Sequence, residues 1–98
     1  MVYVTVRRYE GVTDPSEVAR HVKEGFLPII SEIEGFVDYY FVDAGEGVMF
    51  STGVFEHKTG ADESSWRAGE YIGEHGLASV FPNPPQITEG EVVAHKAK

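Results

Sequence analysis

Seven side chains in this sequence are of types that can act together on a small molecule: Thr5, Arg7, Tyr9, Asp38, Tyr40, Ser51 and Trp66. Arg7 supplies a permanent cation for an anionic oxygen. Asp38 supplies a carboxylate that can serve as base. Tyr9 and Tyr40 are phenol donors, and Thr5 and Ser51 add hydroxyls. Trp66 gives an aromatic wall. Such a set favours the enolate or phenolate of a bound molecule. The same residues also have a plainer reading, in which Arg7 and Asp38 form a buried ion pair that only fixes strand register. The sequence leaves both open.

Other chemistries find less support. The chain has no cysteine, which removes disulfides, thiolate nucleophiles and most structural zinc sites. His21, His57 and His95 have no metal-ligand spacing among themselves and read as solvent-facing, so no metal is expected. Ser51, Ser64, Ser65 and Ser79 lack the neighbours that activate a nucleophile. No glycine-rich phosphate loop follows a strand.

The elements that must position these residues are legible from pattern. Val2 to Tyr9 alternates plain apolar residues (Val2, Val4, Val6) with polar-tipped ones (Tyr3, Thr5, Arg7, Tyr9), as a strand between two unequal environments does. Thr13-Asp14-Pro15-Ser16-Glu17 starts a helix, with Asp14 as cap and Pro15 at the first helical position. Val18, Val22, Phe26, Ile29, Ile30 and Ile33 continue it at helical spacing, and Pro28 predicts a bend near Gly25. Gly35 ends the helix and launches the next strand.

The chain is organised around Glu34–Glu56, a β-hairpin by its aromatic and β-branched runs and its Ala44-Gly45-Glu46-Gly47 turn. Centring the loop on Gly45-Glu46 sets Asp43 opposite Val48. One face then carries Val37, Tyr39, Phe41, Val48, Phe50, Thr52 and Val54. The other carries Phe36, Asp38, Tyr40, Val42, Met49, Ser51, Gly53 and Phe55. A second helix opens at Thr59-Gly60-Ala61-Asp62-Glu63. On a helical wheel Ser65, Trp66, Gly69, Ile72, Gly73, Gly76, Leu77 and Val80 share its inward side. Glycines there signal either tight packing on the sheet or room for a ligand. The predicted pocket lies between this glycine side and the mixed hairpin face. A stiff Pro-rich connection at 81–86 leads to a last strand from Ile87 to His95, and Lys96-Ala97-Lys98 is a tail.

Strand, helix, strand, strand, helix, strand is the ferredoxin-like βαββαβ plan, an α+β fold. It places two helices on one face of a four-stranded antiparallel sheet over residues 1–98 as a single domain. The other sheet face is left apolar, which predicts a homodimer through it. The formal charge of −8, from 16 acidic and 8 basic residues, disfavours nucleic acid and anionic membranes as partners. No apolar run approaches a membrane span of ~18 residues, so a cytoplasmic protein is the expectation.

In its length, its element order, Leu27-Pro28 within the first helix, Glu34-Gly35-Phe36 after it and Thr88-Glu89-Gly90-Glu91 at the last strand, the chain resembles the antibiotic-biosynthesis-monooxygenase-like proteins of the dimeric α+β barrel superfamily. The resemblance implies two sheets packed face to face in a homodimer, with a pocket in each subunit between sheet and helices. It implies either a cofactor-independent oxygenase acting on an aromatic or enolisable molecule, or a non-catalytic protein that binds a small hydrophobic ligand. Some members degrade haem, using an asparagine on the first strand and a tryptophan and histidine ten residues apart on the second helix. Here Arg7 holds the strand position. Trp66 and His75 are nine residues apart, on opposite sides of a helix at 100° per residue. Haem is therefore not expected.

Overall fold

The computed structural model describes residues 2–98. Its strands are β1 (Tyr3–Tyr9), β2 (Phe36–Gly45), β3 (Val48–Phe55) and β4 (Gln86–Glu91). They form one antiparallel sheet in the order β2-β3-β1-β4, the order that the ferredoxin-like plan requires. A first helical rod comprises α1 (Pro15–His21), a π-helical turn (Val22–Phe26) and α2 (Leu27–Ile30). A longer helix, α3 (Lys58–Glu74), follows the hairpin, and a 3₁₀ turn (Leu77–Ser79) follows α3. Both helical layers cover the same sheet face.

Local chemistry accounts for the first rod. Asp14 caps α1 by accepting from the Glu17 amide at 3.2 Å, and Pro15 sits in the first turn. Pro28 has no N–H to donate. One turn earlier the rod widens, and the Leu27 amide bonds the Val22 carbonyl five residues back. The disturbance predicted near Gly25 is thus a π turn around it. Phe26, Ile30 and Ile33 pack with Phe55, Ala61 and Tyr71 into the main core. A second cluster under α1 contains Tyr9, Val12, Val18 and Met49.

Three predicted details are corrected. The hairpin turn is centred on Glu46 and Gly47, both at positive φ, a pairing suited to a two-residue turn. Asp43 therefore faces Met49 and Gly45 faces Val48. Near the base of the hairpin Phe36 pairs with Phe55 but Asp38 pairs with Val54, leaving Val37 as an extra residue. This bulge exchanges the two faces of β2 beyond it. Tyr39 and Phe41 turn toward the helices, while Asp38, Tyr40 and Val42 turn away. The last strand is also shorter than predicted, ending at Glu91, although the Val92 amide still bonds the Val2 carbonyl.

Candidate functional site

Arg7 sits in the middle of β1, on the helix-facing side, and only 1% of it is exposed. Its Nη1 donates to Ser64 Oγ at 3.1 Å and Ser65 Oγ at 3.2 Å. Ser64 is committed in turn to the Ala61 carbonyl at 2.7 Å. Among the described residues no carboxylate lies within ion-pair distance of Arg7. Its Nε has no hydrogen-bond partner, and neither do the buried hydroxyls of Thr5 and Ser51. The last two follow from register. Ser51 lies directly across the β1–β3 ladder from Arg7, and Thr5 is the previous residue on the same face of β1.

An unpaired, desolvated guanidinium is costly, and so is each buried polar atom left without a partner. A native fold retains such a group where something else satisfies it. The surrounding phenols feel the charge. Burial pushes the hydroxyls of Tyr9 and Tyr39 upward from their ordinary ionisation, and the nearby Arg7 cation pulls them partly back.

A cavity of about 30 Å³ opens beside this cluster, walled by Arg7, Tyr9, Tyr39, Phe26, Tyr71 and His21. All but Arg7 are aromatic. The remaining lining, including Val18, Ile72 and Phe81, is apolar. One cation among aromatic walls can hold a planar molecule by its faces and an ionised oxygen by its edge.

The predicted residues divide. Thr5, Arg7, Tyr9 and Ser51 come together on the buried face. Asp38 and Tyr40 do not join them, because the Val37 bulge rotates both to the opposite sheet face. There the Tyr40 hydroxyl donates to Asp38 Oδ2 at 3.0 Å, in the open. The Arg7–Asp38 ion pair is therefore not formed. Trp66 is 62% exposed, on the outer side of α3 beside the Arg67 guanidinium. The inward side of α3 is Ala61, Ser64, Ala68 and Tyr71. Gly69 and Gly73 are exposed with no neighbour near their missing side chains, so they leave no room for a ligand in the cavity. His75 stacks on Tyr71, ring centroids 3.8 Å apart, with its Nδ1 3.0 Å from the Tyr71 carbonyl. Trp66 and His75 thus share no cavity wall. Among the described residues no group of three or more metal-ligating side chains converges.

Sequence reasoning missed Tyr39, Ser64, Ser65, Tyr71 and His21. The consecutive pair Tyr39-Tyr40 carried a usable signal, since one of two adjacent aromatics in a strand must face each way. His21 was read as solvent-facing. It is half-buried, and its Nδ1 lies 3.0 Å from the Tyr71 hydroxyl.

No protein-family profile and no curated protein sequence matches the chain. Solved structures do. A Nitrosomonas europaea protein of unknown function superposes with a TM-score of 0.74 at 16% identity, covering 99% of this chain and 93% of that one. A Streptomyces coelicolor monooxygenase, ActVA-Orf6, solved with nanaomycin D, gives 0.67 at 16%, covering 99% and 90%. A cofactor-independent oxygenase from Streptomyces nogalater, SnoaB, gives 0.63 at 13%, covering 98% and 95%. The fold is that of the antibiotic-biosynthesis-monooxygenase-like structures. At these identities the likeness is one of fold alone, and activity has to be argued from the site.

Proposed function

We propose that this chain is a cofactor-independent monooxygenase-like protein that binds a phenolic or enolisable aromatic molecule with its ionised oxygen on Arg7. The observation that carries this reading is a fully buried arginine with no carboxylate partner in the lining of an aromatic cavity. The guanidinium stabilises the substrate anion, and the apolar walls keep water from competing for the charge. The electron-rich anion passes one electron to dioxygen, and the resulting pair collapses to a carbon–oxygen bond. The hydroperoxide formed at an activated methylene loses water to leave a ketone, so that R₂CH₂ and O₂ become R₂C=O and H₂O. The chain's part is to bind, orient and ionise the substrate.

Size favours a second reading. A cavity of about 30 Å³ approximates the volume of one liquid water, so an aromatic ring enters only as half-buried walls such as Phe41 and Phe81 move aside. A chain whose walls do not yield is a non-catalytic ligand-binding protein of the same fold. Assembly is proposed separately, as a homodimer through the open sheet face. Val4, Val6, Phe50 and Val54 lie on that face, and a shallow groove of about 390 Å³ crosses it beside Val2, Val37 and Tyr40. An apolar sheet face of this kind is rarely left to water.

Oxygen uptake with anthrone- and hydroquinone-type substrates separates the two functional readings. Turnover in the wild type that is lost in Arg7→Met supports the oxygenase. Ligand-induced stabilisation with no uptake supports the binding protein.

A further inference from the structure

The bulge that carries Asp38 out of the site removes the carboxylate base, and the cavity wall opposite the sheet holds another candidate. His21, at the end of α1, and Tyr71, on α3, line the same cavity as Arg7. Nδ1 of His21 is 3.0 Å from the Tyr71 hydroxyl, and that hydroxyl also lies 3.4 Å from the His21 carbonyl. The pair is held from several sides. The Tyr71 ring stacks on His75 and meets Phe26 edge-on at 5.7 Å. Its hydroxyl occupies the place a side chain at Gly25 would take, since a Cβ there would fall 2.0 Å from the oxygen. Gly25 lies within the π turn, so the irregular backbone and the missing side chain together make the seat for this hydroxyl. A tyrosine that only filled the core would need neither.

Resting on the Arg7 reading, we propose that His21 is the proton acceptor of this pocket, with Tyr71 as the relay that reaches the ligand. The ligand is then a molecule that arrives as a neutral phenol or enol and is ionised inside. Its O–H bond breaks as the proton passes to the Tyr71 oxygen, while the Tyr71 proton passes to His21 Nδ1. The products are a ligand anion on Arg7 and an imidazolium at His21, with Tyr71 unchanged. The tautomer required carries its hydrogen on Nε2, so Nε2 does not accept from the Arg20 guanidinium 3.4 Å away, which is left to Glu17 and Glu24. The single Tyr71 hydrogen goes to Nδ1 at 3.0 Å rather than to the His21 carbonyl at 3.4 Å. Tyr71 is itself held neutral, because burial pushes its phenol upward, so it transmits a proton without standing as a phenolate. The charged neighbours of His21 are Arg20, with Nη2 3.4 Å from Nε2, and the carboxylates Glu17 and Glu24 that engage Arg20. His75 faces it from just past the end of α3, at 5.8 Å between rings. The Arg20 cation opposes an imidazolium, and the two carboxylates offset it.

The test uses 4-nitrophenol, a phenol that ionises near neutrality, as a probe of the intact chain. Dissociation constants are measured by absorbance across pH for the wild type, His21→Gln, Tyr71→Phe and Arg7→Met. If only the anion binds, affinity for total probe falls about tenfold per pH unit below the probe's own pKa. That slope is expected in His21→Gln and Tyr71→Phe. In the wild type the proton is kept on His21, and affinity stays nearly level over the first unit. The imidazole signals of His21, followed by NMR in the wild type alone, should move to the protonated position when the probe is added. This second measurement stands if either variant fails to fold. Equal slopes in the wild type and both variants, or a His21 ring that does not take up a proton, would overturn His21 as acceptor while leaving the Arg7 reading intact. Binding that survives unchanged in Arg7→Met, or no binding by the wild type, would overturn the Arg7 reading and this inference with it.

Discussion

Alanine at Gly69 and Gly73 should make the protein more stable and leave its cavity untouched. Both glycines lie on the exposed side of α3, and a Cβ built at either meets no atom within 4 Å. The substitution therefore costs no packing and restricts the unfolded chain. Gly69 is well inside a 17-residue helix, where alanine is favoured by about 1 kcal/mol. Gly73 is in the last turn, where fraying reduces the gain to roughly half of that. The double variant should gain about 1.5 kcal/mol, which raises the melting temperature of a chain this size by roughly 6–12 °C. Circular dichroism at 222 nm during heating and urea titration measures it directly. Binding of 4-nitrophenol should be unchanged. A fall in the midpoint would mean that something packs closely on this helix face. Loss of binding in the folded double variant would return the glycines to the ligand site.

Three further outcomes are expected. Gly25→Ala drives a methyl into the Tyr71 hydroxyl, so overpacking of roughly 1–3 kcal/mol should outweigh the alanine preference, and an unchanged urea midpoint would show that Tyr71 is not pinned. The chain should sediment at twice its 10.8 kDa mass at micromolar concentration, and Phe50→Glu on the open face should weaken that association; a wild-type mass of one chain contradicts the proposed assembly. Tyr9 and Tyr39 are both raised, by burial first. A group protonated more tightly in the folded state lends stability that is complete below the unfolded tyrosine pKa of about 10 and is lost as pH rises through the raised folded values. The urea midpoint should therefore fall above pH 10, and less steeply in Tyr39→Phe; a flat profile would refute the burial argument.

The sheet was legible because its two sides differ in kind. The alternation of Val4 and Val6 with Thr5 and Arg7 marks which side of β1 meets the helices, and β1 has no irregularity to blur it. β2 was legible only to its bulge. Up to Phe36 the predicted pairing holds, but one extra residue at Val37 inverts the side chains from Asp38 to Asp43, where a second shift follows. Either choice of face would have been rich in aromatics, so hydrophobicity did not decide between them. That single residue exchanged Asp38 and Tyr40 for Tyr39 and Phe41 in the site. α3 was misread for a related reason. Its apolar residues are few and small, and the packed line runs through Ala61, Ser64 and Ala68, which a helical wheel weighted by Trp66 and Ile72 turns away from the sheet. The His21–Tyr71 pair joins residues 50 apart in sequence across a π turn, and no local pattern announces it.

Arg7 carries the account, and one comparison tests it most directly: the affinity for 4-nitrophenolate, at a pH where the probe is fully ionised, of the wild type and of Arg7→Met. Methionine approximates the volume of the arginine stem and removes a buried charge that has no carboxylate partner, so the variant should fold and melt no lower than the wild type. The account predicts that the variant binds at least tenfold more weakly, the loss of about 1.5 kcal/mol or more expected for a charged hydrogen bond. Equal affinity in two folded proteins would contradict it, and Arg7 would then be a buried cation with no part in ligand binding.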